Sequence, residues 1–194
     1  MLRRAAIASI LLLLLSTAST AAATTHIAVT AVHYPPSTST GLGDTVSWDN
    51  TSGVRHTVTS DALFSLWSFS LPNSSSRTRA FKQAGSFPYF CQIHGATLMH
   101  GNIHVPMQAV PDHGTTSTSY SIHVATVAAQ AGLAYVIQRK SPSGSFALWK
   151  TITTKTTTFT TGQSGQWSFR TRVKRTTNGT HSGWSPVLVV NVAP

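Results

Sequence analysis

The chain of 194 residues has one cysteine, Cys91, within Tyr89-Phe90-Cys91-Gln92-Ile93-His94-Gly95-Ala96-Thr97-Leu98-Met99-His100-Gly101. His94 follows it by three positions and Met99 by eight. Far upstream, His56 stands in Val54-Arg55-His56-Thr57-Val58-Thr59. One thiolate, two imidazoles and one thioether are the donor set of a mononuclear copper electron-transfer site. There, two His and one Cys make a trigonal plane and a Met binds weakly along the axis. Zinc competes for such residues, but it takes four strong N, S or O donors and leaves a thioether unused. His100, beside Met99, is either a rival ligand or an exposed residue at the edge of the site, and we expect the second. His26, His33, His104, His113, His123 and His181 read as ordinary strand and loop residues.

The donors must be positioned by strands. Side chains alternate between the two faces of a strand, so Phe87, Tyr89 and Cys91 share one face, and the two aromatics mark it as buried. Cys91 then ends a strand with its sulfur pointing inward. A short loop through Gly95 can fold His94 and Met99 back towards the sulfur. His56 must arrive from a neighbouring strand, so the site is expected to close only once the sheets have packed, with the metal crosslinking two distant segments.

Cys91-x-x-His94-x-x-x-x-Met99-x-Gly101, preceded by His56-Thr57-Val58, resembles the type 1 (blue) copper proteins of the plastocyanin and pseudoazurin kind. Gly43-Asp44-Thr45-Val46-Ser47-Trp48-Asp49-Asn50 resembles the family's strand leading to its first His ligand. Phe81-x-x-Ala84-Gly85-Ser86-Phe87-x-Tyr89-x-Cys91 resembles its strand into the Cys loop. The resemblance implies a cupredoxin-like Greek-key β-sandwich, one copper ion cycling between Cu(I) and Cu(II), and His56, Cys91, His94 and Met99 as its ligands. Many relatives carry Asn directly after the first His, where it helps tie the two ligand loops together; this chain has Thr57.

Apolar residues make up 41% of the chain and charged residues only 9%, against ~25% charged in an average domain. Thr and Ser take their place, a composition that suits exposed β-sheet. Residues 1–23 read as a secretory signal: Arg3 and Arg4, an apolar run from Ala5 to Leu15, and Ala21-x-Ala23 as a cleavage site. An uncleaved anchor is the competing reading, but the run is short for a span of ~20 residues. Export implies a secreted, periplasmic or cell-surface location. A single cysteine in an oxidising compartment forms no internal disulfide, and metal ligation accounts for its presence there.

Both halves are expected to be all-β. Residues 24–108 show short alternating runs separated by turn signals, as an antiparallel sandwich requires. Strands are expected at Ile27–Val29 with Val32, Thr45–Trp48, His56–Thr59 and Asn102–Val105, with Arg77–Phe81 and Ser86–Cys91 as a hairpin reaching the loop. Residues 109–118 read as a linker rich in Pro, Gly, Thr and Ser. Residues 119–194 carry further strands at Ile122–Val127, Ala134–Gln138, Phe146–Thr151, Thr157–Thr160, Trp167–Lys174 and Val187–Val192. Gly165-Gln166-Trp167-Ser168-Phe169-Arg170-Thr171-Arg172-Val173 and Gly183-Trp184-Ser185-Pro186 resemble the last two strands of a fibronectin type III-like sandwich. Trp167 stands where that family has a corner Tyr, and the usual first strand is short or missing.

Charge divides between the halves. Asp44, Asp49, Asp61 and Asp112 balance Arg55, Arg77, Arg79 and Lys82, whereas from residue 113 onward there are eight Lys and Arg and no acid. That points to an anionic partner for the second module: an acidic cell-surface polymer, a membrane surface or an acidic redox protein. Nucleic acid does not suit an exported protein. Trp149, Trp167 and Trp184 are expected in the core rather than as a carbohydrate-binding face. The chain has no Glu, no Ser-His-Asp arrangement and no His-x-His pair, so neither hydrolysis nor multicopper oxygen chemistry is indicated. The expectation is an electron-transfer metalloprotein, not an enzyme; a copper carrier or an adhesin holding structural copper is the alternative.

Overall fold

The computed structural model describes residues 21–61 and 64–194; most of the expected signal segment lies outside the described residues. Sixteen strands run through the described residues. The first eight are β1 (Thr24–Val29), β2 (Thr38–Ser39), β3 (Thr45–Asn50), β4 (His56–Ser60), β5 (Ser68–Leu71), β6 (Ser75–Ala80), β7 (Gly85–Phe90) and β8 (His100–Val105). They form two sheets, β1-β3-β6 and β2-β8-β7-β4-β5. Period-two burial directs Val46, Trp48 and Asn50 of β3 towards the second sheet. Trp48 is fully buried, its ring 5.7 Å from Phe69 of β5 and 5.6 Å from Tyr89 of β7. These edge-to-face contacts join the sheets into a sandwich.

The expected strands are present, with three corrections. Arg77–Phe81 and Ser86–Cys91 do not form a hairpin: β6 pairs with β3 in one sheet, while β7 pairs with β4 and β8 in the other. The chain crosses between sheets through Phe81–Ala84, because Phe81 and Ala84 are both buried and anchor the crossing in the core. Val32 is exposed and falls outside β1. The stretch read as a linker carries β9 (Gln108–Val110) and β10 (His113–Thr115).

The remaining strands are β11 (Tyr120–His123), β12 (Leu133–Lys140), β13 (Ala147–Ile152), β14 (Thr156–Phe159), β15 (Gly165–Arg175) and β16 (Leu188–Ala193). They make two more sheets, β14-β11-β9 and β10-β16-β15-β12-β13. Phe159 of β14 packs on Phe169 and Trp167 of β15 at 4.9 and 5.1 Å and on Trp149 of β13 at 5.9 Å. The molecule is therefore all-β, two sandwiches each of three strands against five. Trp149 and Trp167 belong to the second core, as expected, and Trp184 is half-buried over cations described below. Trp167 donates its Nε1–H to the Gln163 carbonyl at 3.2 Å, the bond back to the chain that a corner Tyr would make.

Backbone hydrogen bonds join the halves. Thr126 and Ala84 donate to Lys82 and Val124 carbonyls at 2.9 and 2.8 Å, and Ser86 and Gly183 exchange bonds at 3.0 and 2.8 Å. Gly183 is required there, since a Cβ on it would meet the Ser86 Cβ at 2.8 Å. Arg175 also donates to the Ser65 carbonyl and lies over the Phe64 ring. Among the described residues no helix is long and apolar enough to cross a membrane.

Candidate metal centre

Phe87, Tyr89 and Cys91 are all buried on one face, as strand alternation requires, and Cys91 stands immediately beyond β7. His56 opens β4, which meets the end of β7 at Thr59↔Phe90 and Ser60↔Tyr89. This pairing carries the His56 and Cys91 side chains to one end of a single sheet. The expectation that the two sheets must pack before these donors meet is thus corrected: strand pairing within one sheet brings them together. The reason is the staggered register, in which β4 overlaps only the last two residues of β7.

The Cys91 Sγ lies 3.9 Å from His56 Nδ1 and 3.4 Å from His94 Nδ1, and the two Nδ1 atoms are 3.2 Å apart. The centre of that triangle is about 2.0 Å from each corner, close to the ~2.0–2.1 Å of a metal–imidazole bond and a little short of a metal–thiolate bond. His56, Cys91 and His94 are the group of His, Cys, Asp and Glu residues that could hold a metal among the described residues. One soft thiolate and two imidazoles meeting in a triangle fit one type 1 copper ion. Met99 is fully buried at the end of the same loop. His100 is exposed and outside the cluster. His26 pairs with Asp49 and His113 with Asp112 at exposed positions, and His104 faces Ser86.

Backbone bonds hold the ligand loop in shape. Cys91 N–H donates to the Met99 carbonyl at 3.0 Å, closing the loop at its base. Gly95 N–H donates to the Cys91 carbonyl at 2.9 Å, and Met99 N–H to the Gly95 carbonyl at 3.1 Å. Gly95 has φ +78°, a left-handed conformation that glycine adopts without a Cβ penalty. Thr57 performs the tie that the resemblance assigns to Asn: its Oγ1 accepts from Gln92 N–H at 2.8 Å, and its own N–H points at the Cys91 Sγ at 3.3 Å.

Burial, reinforced by the neighbouring His94, holds the His56 imidazole below its ordinary range, which keeps it neutral and competent as a ligand near pH 7. His94 is half-buried, and Ile93 and Leu98 on its loop and Val54 before His56 are exposed. Sequence reasoning missed Ser52, whose Oγ lies 2.7 Å from His56 Nε2. The visible signal was the polar run Asn50-Thr51-Ser52 before Gly53 at the close of β3.

No family model matches the chain, and no curated protein matches it. Solved structures similar to it include a reduced amicyanin variant at 24% identity, covering 43% of this chain and 81% of that one with a TM-score of 0.37. Amicyanin from Paracoccus versutus is similar at 22% identity, with 43% and 80% covered and a TM-score of 0.37. A purple cupredoxin from Nitrosopumilus maritimus is similar at 22% identity, with 41% and 97% covered and a TM-score of 0.38.

Proposed function

We propose that the protein is an exported blue copper protein that carries single electrons, with His56, Cys91 and His94 as equatorial ligands and Met99 as the axial one. The observation that carries this reading is the triangle of one Sγ and two Nδ1 atoms, with edges of 3.2, 3.4 and 3.9 Å. Bound there, copper would supply one-electron chemistry between Cu(I) and Cu(II). Cys91 would hold its thiolate against β7 and offer the electron a short covalent path. The bonds closing the Cys91–Met99 loop resist rearrangement of the donors, which keeps the structural cost of a change in oxidation state low. Full burial of His56, Cys91 and Met99 excludes water. His94, half-exposed beside Ile93 and Leu98, is the exit, and that apolar rim suits brief docking of a redox partner.

A visible spectrum taken during Cu(II) titration tests the reading. An intense blue band saturating at one copper per chain, bleached by a mild reductant and restored by an oxidant without loss of metal, is the expected result. Release of copper to a chelator on each reduction would instead establish the carrier. Absence of the band would reject the site.

The second sandwich serves, in the same reading, as a fibronectin type III-like module that attaches the copper domain to an anionic surface. Its two-sheet antiparallel core and the Trp167 corner bond support that likeness. β15 turns Arg170, Arg172 and Lys174 outward on alternate positions, ~6.6 Å apart along the strand. Arg170 lies over Phe146 and Trp184 at 4.3 and 4.7 Å, and Arg172 over Trp184 at 4.3 Å. Stacking uses the guanidinium faces; Arg170 Nε is taken by Gln138 at 2.8 Å and Arg172 Nη1 by His181 at 2.9 Å, which leaves the remaining terminal N–H groups for oxyanions. Replacing all three cations by Gln is expected to lower retention on an anionic resin far more than replacing Lys150 and Lys155. Losses in proportion to the charges removed, three against two, would leave only nonspecific charge.

A further inference from the structure

We infer that Asn50 and Ser52 are positioning residues of the metal centre, fixing which nitrogen of His56 carries the proton. Asn50 ends β3, in the sheet opposite the ligands. Its Nδ2 lies 2.8, 3.1 and 3.0 Å from the carbonyls of Val54, Leu71 and Pro72, while its Oδ1 accepts Ser52 N–H at 3.0 Å. Reversing the amide would turn its oxygen against three carbonyl oxygens, so the orientation is set. The Ser52 Oγ is 2.7 Å from Asn50 Oδ1 and 3.2 Å from the Val54 carbonyl, both acceptors only. Its single hydrogen is committed to one of them. Towards His56, 2.7 Å away, Ser52 can therefore only accept. His56 must donate from Nε2, which leaves the Nδ1 lone pair facing Cys91 and His94.

The relay does two things. It holds the ring in the tautomer and plane that the donor triangle needs. It also couples the sheets: Asn50 reaches Leu71 and Pro72 at the end of β5, so packing of the sandwich is transmitted to the His56 ring. Ser52 is half-buried in an otherwise exposed loop outside the strands, and alanine there removes the acceptor while leaving the core intact.

The metal arm of this inference rests on the copper reading; the proton arm does not. In metal-free protein, long-range proton–nitrogen NMR should find His56 protonated at Nε2 and bare at Nδ1, with slow exchange of the Nε2 proton. Ser52→Ala should lose that protection. It should weaken Cu(II) binding ~10–100-fold and Cu(I) binding less, raising the reduction potential, and Ser52→Thr should behave as the parent. A proton found on His56 Nδ1 in the parent protein overturns the inference, and so does Ser52→Ala binding Cu(II) as tightly as the parent. If the parent forms no blue centre, the copper reading fails, and the NMR measurement still decides the relay.

Discussion

Replacing Cys91 by alanine abolishes the intense visible band of the copper-loaded protein. The colour of such a centre arises from charge transfer between thiolate sulfur and copper, and the chain holds no second thiol to substitute. His56 and His94 keep their Nδ1 atoms 3.2 Å apart, so the variant retains a weak two-imidazole site. Cu(II) bound to nitrogen and oxygen donors takes a tetragonal geometry with pale colour. Absorption and electron paramagnetic resonance spectra of the two proteins, loaded with equal copper, check this. Survival of the intense band in the variant would remove Cys91 from the site and sink the assignment.

Replacing Trp48 by alanine costs ~3–5 kcal/mol of folding stability, the range for deleting a large buried aromatic. Trp48 is fully buried and contacts the rings of Phe69, Phe81 and Tyr89, so the cavity opens at the centre of the first sandwich. A domain holds ~5–15 kcal/mol in total, and the variant loses a large share of it. Copper should restore part of the loss, because a ligand binding only the folded state adds ~4 kcal/mol at 1,000 times its dissociation constant. Chemical denaturation of both proteins, with and without copper, measures both effects. A loss below about 1 kcal/mol would show that the two sheets do not depend on this indole for their packing.

The fold was legible where alternation was strong. Val46 and Trp48, or Phe87 and Tyr89, stand two apart with polar or exposed residues between or beside them, and period two follows directly from strand geometry. Partner choice was not legible. Arg77–Phe81 and Ser86–Cys91 are close in sequence and separated by four residues ending in Gly85, which suggests a hairpin, yet the buried Phe81 and Ala84 take the chain across to the other sheet. The short strands β9 and β10 hid in a stretch of Thr, Pro and Gly because three-residue strands leave no periodic trace. They exist because longer neighbours, β11 and β16, offer them edges to pair with.

For the centre itself, residue chemistry was enough to pick out His56, Cys91 and His94, which the fold brings together, since one thiol and a narrow spacing leave few combinations; Met99 is buried at the end of the same loop. Ordering of the donors was a tertiary matter. Only the stagger of β4 on β7 sets His56 beside a cysteine 35 positions away, and only the fold shows Thr57 tying the two loops. Asn50 and Ser52 carry no metal-binding signature at all. Their roles exist because hydrogen bonds are directional: three carbonyls orient one amide, the amide commits one hydroxyl, and the hydroxyl decides where one imidazole keeps its proton. Composition determined that this chain could build sheets and hold a soft metal; the arrangement of strands decided which atoms face it.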